Sequence, residues 1–423
     1  MKELVTRNRI WIAGAIAILP SLYFSTASAQ ELYTPDEETE EGGPARGIRL
    51  GPGAQLISRV DAGARFSDNY YSVSSSATKT PTVLYKLRPE TYLDLDGGTW
   101  GAVAGLYADG GVTNHFSKDN YLDNGLFTNW HWQALTAHQF NARASYSAGH
   151  DAYGTTRTEG GLSPTADADL DKYHRYTGNL GYIFGAKESR FKSDVDVGTE
   201  VKRYYTNTGA VVSTSTLDYK LYNAKLSGYY AISDKTQLVA RLLGSQVRFE
   251  DPGSAAGRDA KEYRARAGMK WAVTGITTGE VVAGYVHRTP DNSAVSGFSA
   301  IDWSARVTWN PLVPTKIILE SGRESTESYL AGVSFIDTRF AQAEWRQAWT
   351  GKLNSNLSYR YARSAYQGAG RTDNNQLLGA GVQYAFMKNW AVLAGYEHPM
   401  RTSNAANIDY KSNIATIGVR FAQ

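Results

Sequence analysis

The chain has 423 residues, 44 basic and 41 acidic side chains, and 42% hydrophobic and 12% aromatic content, a balance that excludes a disordered polyelectrolyte and a small disulfide-stapled scaffold. With no cysteine, thiolate catalysis, disulfides and cysteine metal sites are impossible, and the chain can cross an oxidising compartment without misbridging. A net charge of +3 argues against nucleic acid as a partner, and a mean hydropathy of −0.41 looks soluble, an impression that misleads if half the residues of each strand face water and half face lipid.

Lys2, Arg7 and Arg9 precede an apolar stretch from Ile10 to Leu19, and Ala27-Ser28-Ala29 is a small-x-small site before Gln30. That is the pattern of a signal peptide over 1–29, with an apolar core shorter than the roughly 20 residues of a spanning helix. Residues 30–53 are acidic, rich in Pro and Gly and without apolar period, and read as a flexible periplasmic leader. No later run of about 18 apolar residues occurs, which excludes a helical membrane protein.

From Ala54 to the end the period is two. Leu56, Val60, Ala62, Ala64 and Phe66 alternate with Gln55, Arg59, Asp61 and Arg65. Tyr263, Ala265, Ala267 and Met269 alternate with Arg264, Arg266 and Lys270, and Ile301, Trp303, Ala305 and Val307 with Asp302, Ser304 and Arg306. Such segments read as half-apolar strands. Short turns, such as 96–98, 185–189, 233–236, 311–314 and 387–389, alternate with longer polar links, such as 67–82, 113–119, 150–171, 206–214, 290–297 and 367–373. This sidedness predicts an all-β, transmembrane, antiparallel up-and-down barrel over 54–423 with about 18 strands. Sixteen is the alternative, because 315–325 is short and 330–349 offers room for a bulge near Asp337. An even number returns both termini to the periplasm, and closure removes unpaired edges.

Trp100, Trp132, Phe184, Tyr230, Trp309, Trp349, Phe386, Trp390 and Phe421 all lie beside a short turn or the chain end, as an interfacial aromatic girdle requires. The inward face gathers Arg59, Arg65, Arg88, Arg143, Arg175, Arg241, Arg264, Arg266, Lys270, Arg306, Arg346, Arg360 and Arg420, with fewer carboxylates, chiefly Asp61, Glu90, Asp94, Asp194, Asp196, Glu200, Asp302 and Glu344. A basic excess in a water-filled lumen favours anions, and charge reversal at Arg264 and Arg266 is then expected to lower anion selectivity. The competing expectation is that these charges pair into a lattice that stiffens the wall. No metal-ligand spacing, phosphate loop or GxSxG is present. His150-Asp151, at the start of a long loop, reads as solvated rather than as a base with its orienting acid. Neither a cofactor, a metal nor an enzymatic activity is expected.

The signal peptide, the acidic leader and the alternating strands, with a His150-Asp151-Ala152-Tyr153-Gly154-Thr155 loop after a strand containing Tyr146, resemble the putative β-barrel porin 2 family and the EpsL-like outer-membrane proteins of exopolysaccharide systems. The resemblance implies a barrel in the outer membrane of a Gram-negative cell, linked to polysaccharide export, and no catalytic residue carries over. The expected function is a porin-like passive conduit for a surface polysaccharide or another hydrophilic, anionic solute. The alternative is a non-conducting structural or adhesive barrel. Expected partners are outer-membrane lipid and lipopolysaccharide, the barrel-assembly machinery and polysaccharide-export components.

Overall fold

The computed structural model describes residues 47–158, 169–186, 188–209, 213–251, 258–274, 276–328, 330 and 332–423. The expected signal peptide and most of the leader lie outside them. The strands are β1 (Ala54–Ser67), β2 (Thr82–Asp96), β3 (Trp100–Thr113), β4 (Tyr121–Leu135), β5 (His138–His150) and β6 (Lys172–Phe184). They continue as β7 (Phe191–Tyr204), β8 (Tyr219–Ser233), β9 (Thr236–Phe249), β10 (Ala260–Thr274), β11 (Thr277–Pro290) and β12 (Phe298–Leu312). The last are β13 (Thr315–Thr326), β14 (Phe335–Ala348), β15 (Leu353–Gln367), β16 (Arg371–Met387), β17 (Trp390–Ser403) and β18, which runs in two pieces, Tyr410–Lys411 and Ile414–Ala422.

Each strand pairs antiparallel with the next, and β18 pairs with β1 from Ser67↔Ile414 to Arg59↔Ala422, so 18 strands close into a barrel. The short strand Ile48–Gly51 pairs with the start of β1, Ile48 opposite Leu56. It continues the edge that Gln423 begins through its backbone bonds with Ser58. At this closing seam Gly63 faces Gly418, and a Cβ on Gly63 would lie 2.4 Å from the Ile417 carbonyl oxygen; the strands approach where neither residue has a side chain.

The alternative of 16 strands falls. β13 and β14 pair without a break from Thr315↔Gln347 to Thr326↔Ile336, through Asp337 and with no bulge. Residues 330 and 332–334, expected as strand, precede the first strand residue Phe335. The expected long link at 367–373 is a three-residue turn, because Gly368 and Gly370 both take positive φ, 105° and 66°, which only glycine adopts without strain.

Along β10, Lys261, Tyr263, Ala265, Ala267 and Met269 are exposed while Glu262, Arg264 and Arg266 are buried. The burial inside is graded. Glu262, Arg264 and Arg266 on β10 and Arg360, Ala362 and Ser364 on β15 are buried towards the long loops, whereas Lys270 and Asn354, Asn356 and Ser358 towards the short turns are half-buried. On these two strands the lumen is therefore packed more tightly at its long-loop half than at the other.

β12 and β13 separate partway up. Their pairing runs from Leu312↔Thr315 to Ser304↔Gly322 and stops, although β11 pairs with β12 up to Phe298.

Candidate solute path through the lumen

The wall places nearly every expected lumen cation against an acceptor. Arg59 reaches Glu90 at 3.3 Å and Asp61 at 3.5 Å, Arg420 reaches Asp61 at 2.7 Å, Arg65 reaches Glu397 at 3.2 Å and Arg88 reaches Glu90 at 3.4 Å. Arg175 pairs with Glu200 at 2.6 Å, Arg241 with Glu280 at 2.8 Å, Arg306 with Glu320 at 2.6 Å and Arg346 with Glu344 at 2.9 Å. Arg264 donates to Glu262 and Asp302, both at 2.8 Å, and Arg266 donates to Asp302 at 2.5 and 3.0 Å. Arg360 donates to Gln342 at 3.1 Å and lies 4.1 Å over the Phe340 ring. Lys270 sits 5.9 Å over the Tyr229 ring. Arg143 makes no ion pair among the described residues.

The carboxylates are more numerous than the sequence suggested. Glu262, Glu280, Glu320 and Glu397 each take an expected lumen arginine. Asp109 takes Lys86 at 3.2 Å, and Asp373 pairs with Arg371. A signal for Glu262 was present: it stands two residues before Arg264, on the same face of one strand. The others are recognised only through register, because Glu280 meets Arg241 across two strand interfaces.

Residues 151–158, the start of the link after β5, do not stay outside. Gly154 accepts a bond from Arg401 Nη2 on β17 at 3.3 Å, so residues 151–158 form a strap across the packed half of the lumen. Asp151 anchors it by accepting from Lys202 Nζ at 3.0 Å, the Tyr204 hydroxyl at 2.5 Å and Thr156 Oγ1 at 2.8 Å. The buried carboxylate of Asp119 accepts the Tyr153 and Tyr71 hydroxyls, both at 2.7 Å. Burial first, and then that carboxylate, push both phenol pKa values above their ordinary range. A cavity of about 70 Å³ lies on one side of the strap, against Thr155, Thr156, Arg360 and Tyr366; one of about 50 Å³ lies on the other, against Tyr153, Arg65, Lys86 and His150. Each has room for a few waters and not for a sugar chain.

His150 corrects the reading of the His150-Asp151 pair. Its Nδ1 meets both carboxylate oxygens of Asp123 at 3.0 Å, and its ring packs on Tyr121. Asp151 is committed to Lys202, and the histidine is not solvated but nearly buried, its side chain 7% exposed.

Of the expected girdle residues, Trp100, Trp132, Phe184, Tyr230, Trp309, Trp349, Phe386 and Trp390 are exposed and Phe421 is half-buried. Trp100 stands opposite Trp132, Trp132 stacks on Phe140, and Trp390 packs on Phe421. A second aromatic set stands towards the long loops, where Tyr85, Tyr176, Tyr222, Tyr263, Tyr285 and Tyr396 are exposed.

A family model described as "Putative beta-barrel porin 2" matches residues 45–423. No curated protein matches the chain. Among solved structures it is similar to OccAB3 of Acinetobacter baumannii (10% identity, TM-score 0.45, 88% of this chain and 99% of that one). It is also similar to two Pseudomonas aeruginosa proteins: opdK, an outer membrane protein (10%, 0.47, 87% and 99%), and OpdQ (13%, 0.47, 89% and 100%).

Proposed function

The chain belongs to the putative beta-barrel porin 2 family and is a porin-like outer-membrane β-barrel, and from that premise we propose that it is a passive conduit for a surface polysaccharide or another hydrophilic, acidic solute, shut in the present conformation by the 151–158 strap. The observation that carries this reading is an inner wall rich in charged, hydroxyl and amide side chains, many of them half-exposed over the short-turn half, with buried aliphatic residues such as Val239, Val282 and Ile318 among them. A greasy or filled interior would need no such lining. In this reading the short turns and both termini face the periplasm, and the exposed aromatics beside those turns anchor the barrel at the membrane interface. Lipopolysaccharide surrounds the outer rim, the assembly machinery inserts the chain, and export components meet the periplasmic end.

Arg143, Lys270 and Arg306 favour anions, because they stand in the water-exposed half and Arg306 remains half-exposed (51%) despite its pair with Glu320. Arg264 and Arg266 are poor reporters of selectivity: both are buried in ion pairs, and reversing them would break the wall. In planar bilayers the purified protein should open to a conducting state under applied voltage, with anions favoured over cations. R143E with R306E should lower the anion-to-cation permeability ratio by at least twofold. A conducting protein whose selectivity is indifferent to both reversals would remove the anionic solute, and a sealed barrel at all voltages would remove the conduit. The packed long-loop half supports a second reading, a structural or adhesive barrel, and that sealed outcome is its signature.

A further inference from the structure

Towards the long loops the wall is unzipped between β12 and β13. Beyond Ser304↔Gly322 no residue of β13 pairs with residues 298–303. The Ile301 carbonyl accepts a side chain, Arg323 Nη1 at 2.6 Å, where a strand amide belongs. The Arg323 carbonyl accepts from Arg264 Nη1 at 2.9 Å, and Ser325 Oγ meets Arg264 Nη2 at 3.0 Å. Arg264 stands on β10, three strands away, so the end of β13 leans into the lumen. Phe335, at the start of β14, follows it and packs on Phe298 at 5.1 Å. Ile301, on the abandoned edge, is 68% exposed. A strand edge facing hydrocarbon costs several kcal/mol for each orphan backbone group, so plain lipid tails are poor neighbours for this slit.

The mouth of the slit carries an arginine row. Arg323, Arg339 and Arg363 stand directly opposite one another on three consecutive strands. Like charges in that arrangement destabilise a sheet. Asp337 engages Arg323 through both carboxylate oxygens, at 2.6 and 2.7 Å, and lies 3.7 Å from Arg339 Nε. Arg339 and Arg363 are both exposed, and Arg363 lies two residues beyond the exposed Tyr361. Guanidinium groups bind phosphate and carboxylate bidentately.

We propose that this seam is a side-entry site for an anionic amphiphile, its phosphate or carboxylate head on the Arg339–Arg363 row and its acyl chain left in the surrounding membrane. Only a molecule with an apolar part gains from a route through the wall; a wholly hydrophilic solute has the axial lumen. The site is independent of whether the axial path conducts.

The absence of cysteine makes lateral access testable in the full chain. S325C, behind the slit, and S145C, half-buried on β5, are placed in phospholipid vesicles and treated with N-dodecylmaleimide, each rate normalised to that with N-ethylmaleimide. The normalised rate of S325C should exceed that of S145C at least tenfold, and equal rates would overturn the opening. For the head group, native mass spectrometry in non-ionic detergent should find dodecyl phosphate retained by the wild type where dodecyl maltoside is not. R339Q with R363Q should lower that retention at least tenfold while the barrel keeps its heat-modifiable mobility on gels. No retention by the wild type, or retention unchanged in the variant, would overturn the assignment.

Discussion

Asp302 joins two lumen arginines on one side chain. It is fully buried and accepts both Arg264 and Arg266 from β10, across a strand on which the intervening residue is Gly284. Gly284 leaves the crossing clear, and a Cβ there would lie 1.8 Å from the Ala265 carbonyl oxygen. Removing the carboxylate strands Arg266 and leaves Arg264 with Glu262 as its carboxylate partner. Breaking a buried pair in this way costs about 3–5 kcal/mol. D302A should therefore lower the midpoint of urea unfolding with the slope unchanged, followed by heat modifiability; a loss under about 1 kcal/mol would show that water already reaches this cluster. That both arginines and Asp302 face inward was legible in the sequence, because alternation assigns faces. Who pairs with whom was not, because register is set by turn geometry and by neighbours in other strands. His150 illustrates the difference, since its carboxylate is Asp123, 27 residues back, and not the adjacent Asp151.

At the scale of the element, the 151–158 strap is held by protons as much as by packing. Tyr71 and Tyr153 donate to the single carboxylate of Asp119, which a phenolate cannot do. Both folded pKa values are raised above the unfolded value of about 10. The folded state thus holds protons that the unfolded chain has released, so their stabilisation is complete below about pH 10 and is lost as pH rises through the folded values. The hold therefore begins to weaken only above about pH 10, and conductance in bilayers should stay flat from about pH 7 to 10. Y71F with Y153F, unable to donate, should show a raised conductance already at neutral pH; a variant conductance equal to that of the wild type would mean the strap is held otherwise. Strand positions and the two kinds of connection were legible because alternation and turn residues are local signals. The strap's inward path and the lean of β13 were not, since they depend on Arg401, on β17, and on Arg264, three strands from β13.

For the whole molecule the decisive bond is the one between its ends. Every strand but two finds its neighbours through a local turn or loop, whereas β1 and β18 meet only when the sheet has curled fully round. Chain-entropy cost is highest for such a contact, and the gain is the removal of two edges that the membrane would otherwise penalise. β18 also pairs with β17 from Glu397↔Ile414 to Trp390↔Phe421, so its loss would expose β1 and β17 together. The short strand Ile48–Gly51 touches the same seam but pairs only with β1, at the end that Gln423 leaves free. Deleting 414–423 should therefore abolish the heat-modifiable folded form in lipid or detergent, whereas deleting 48–51 should leave it in place with a lowered unfolding midpoint. F421A should fall between, losing about 0.5–1.5 kcal/mol for its ring contact with Trp390 in addition to its buried area. If the chain without 414–423 folds as well as the full one, the sheet does not need its seam, and a closed cylinder is not what stabilises it.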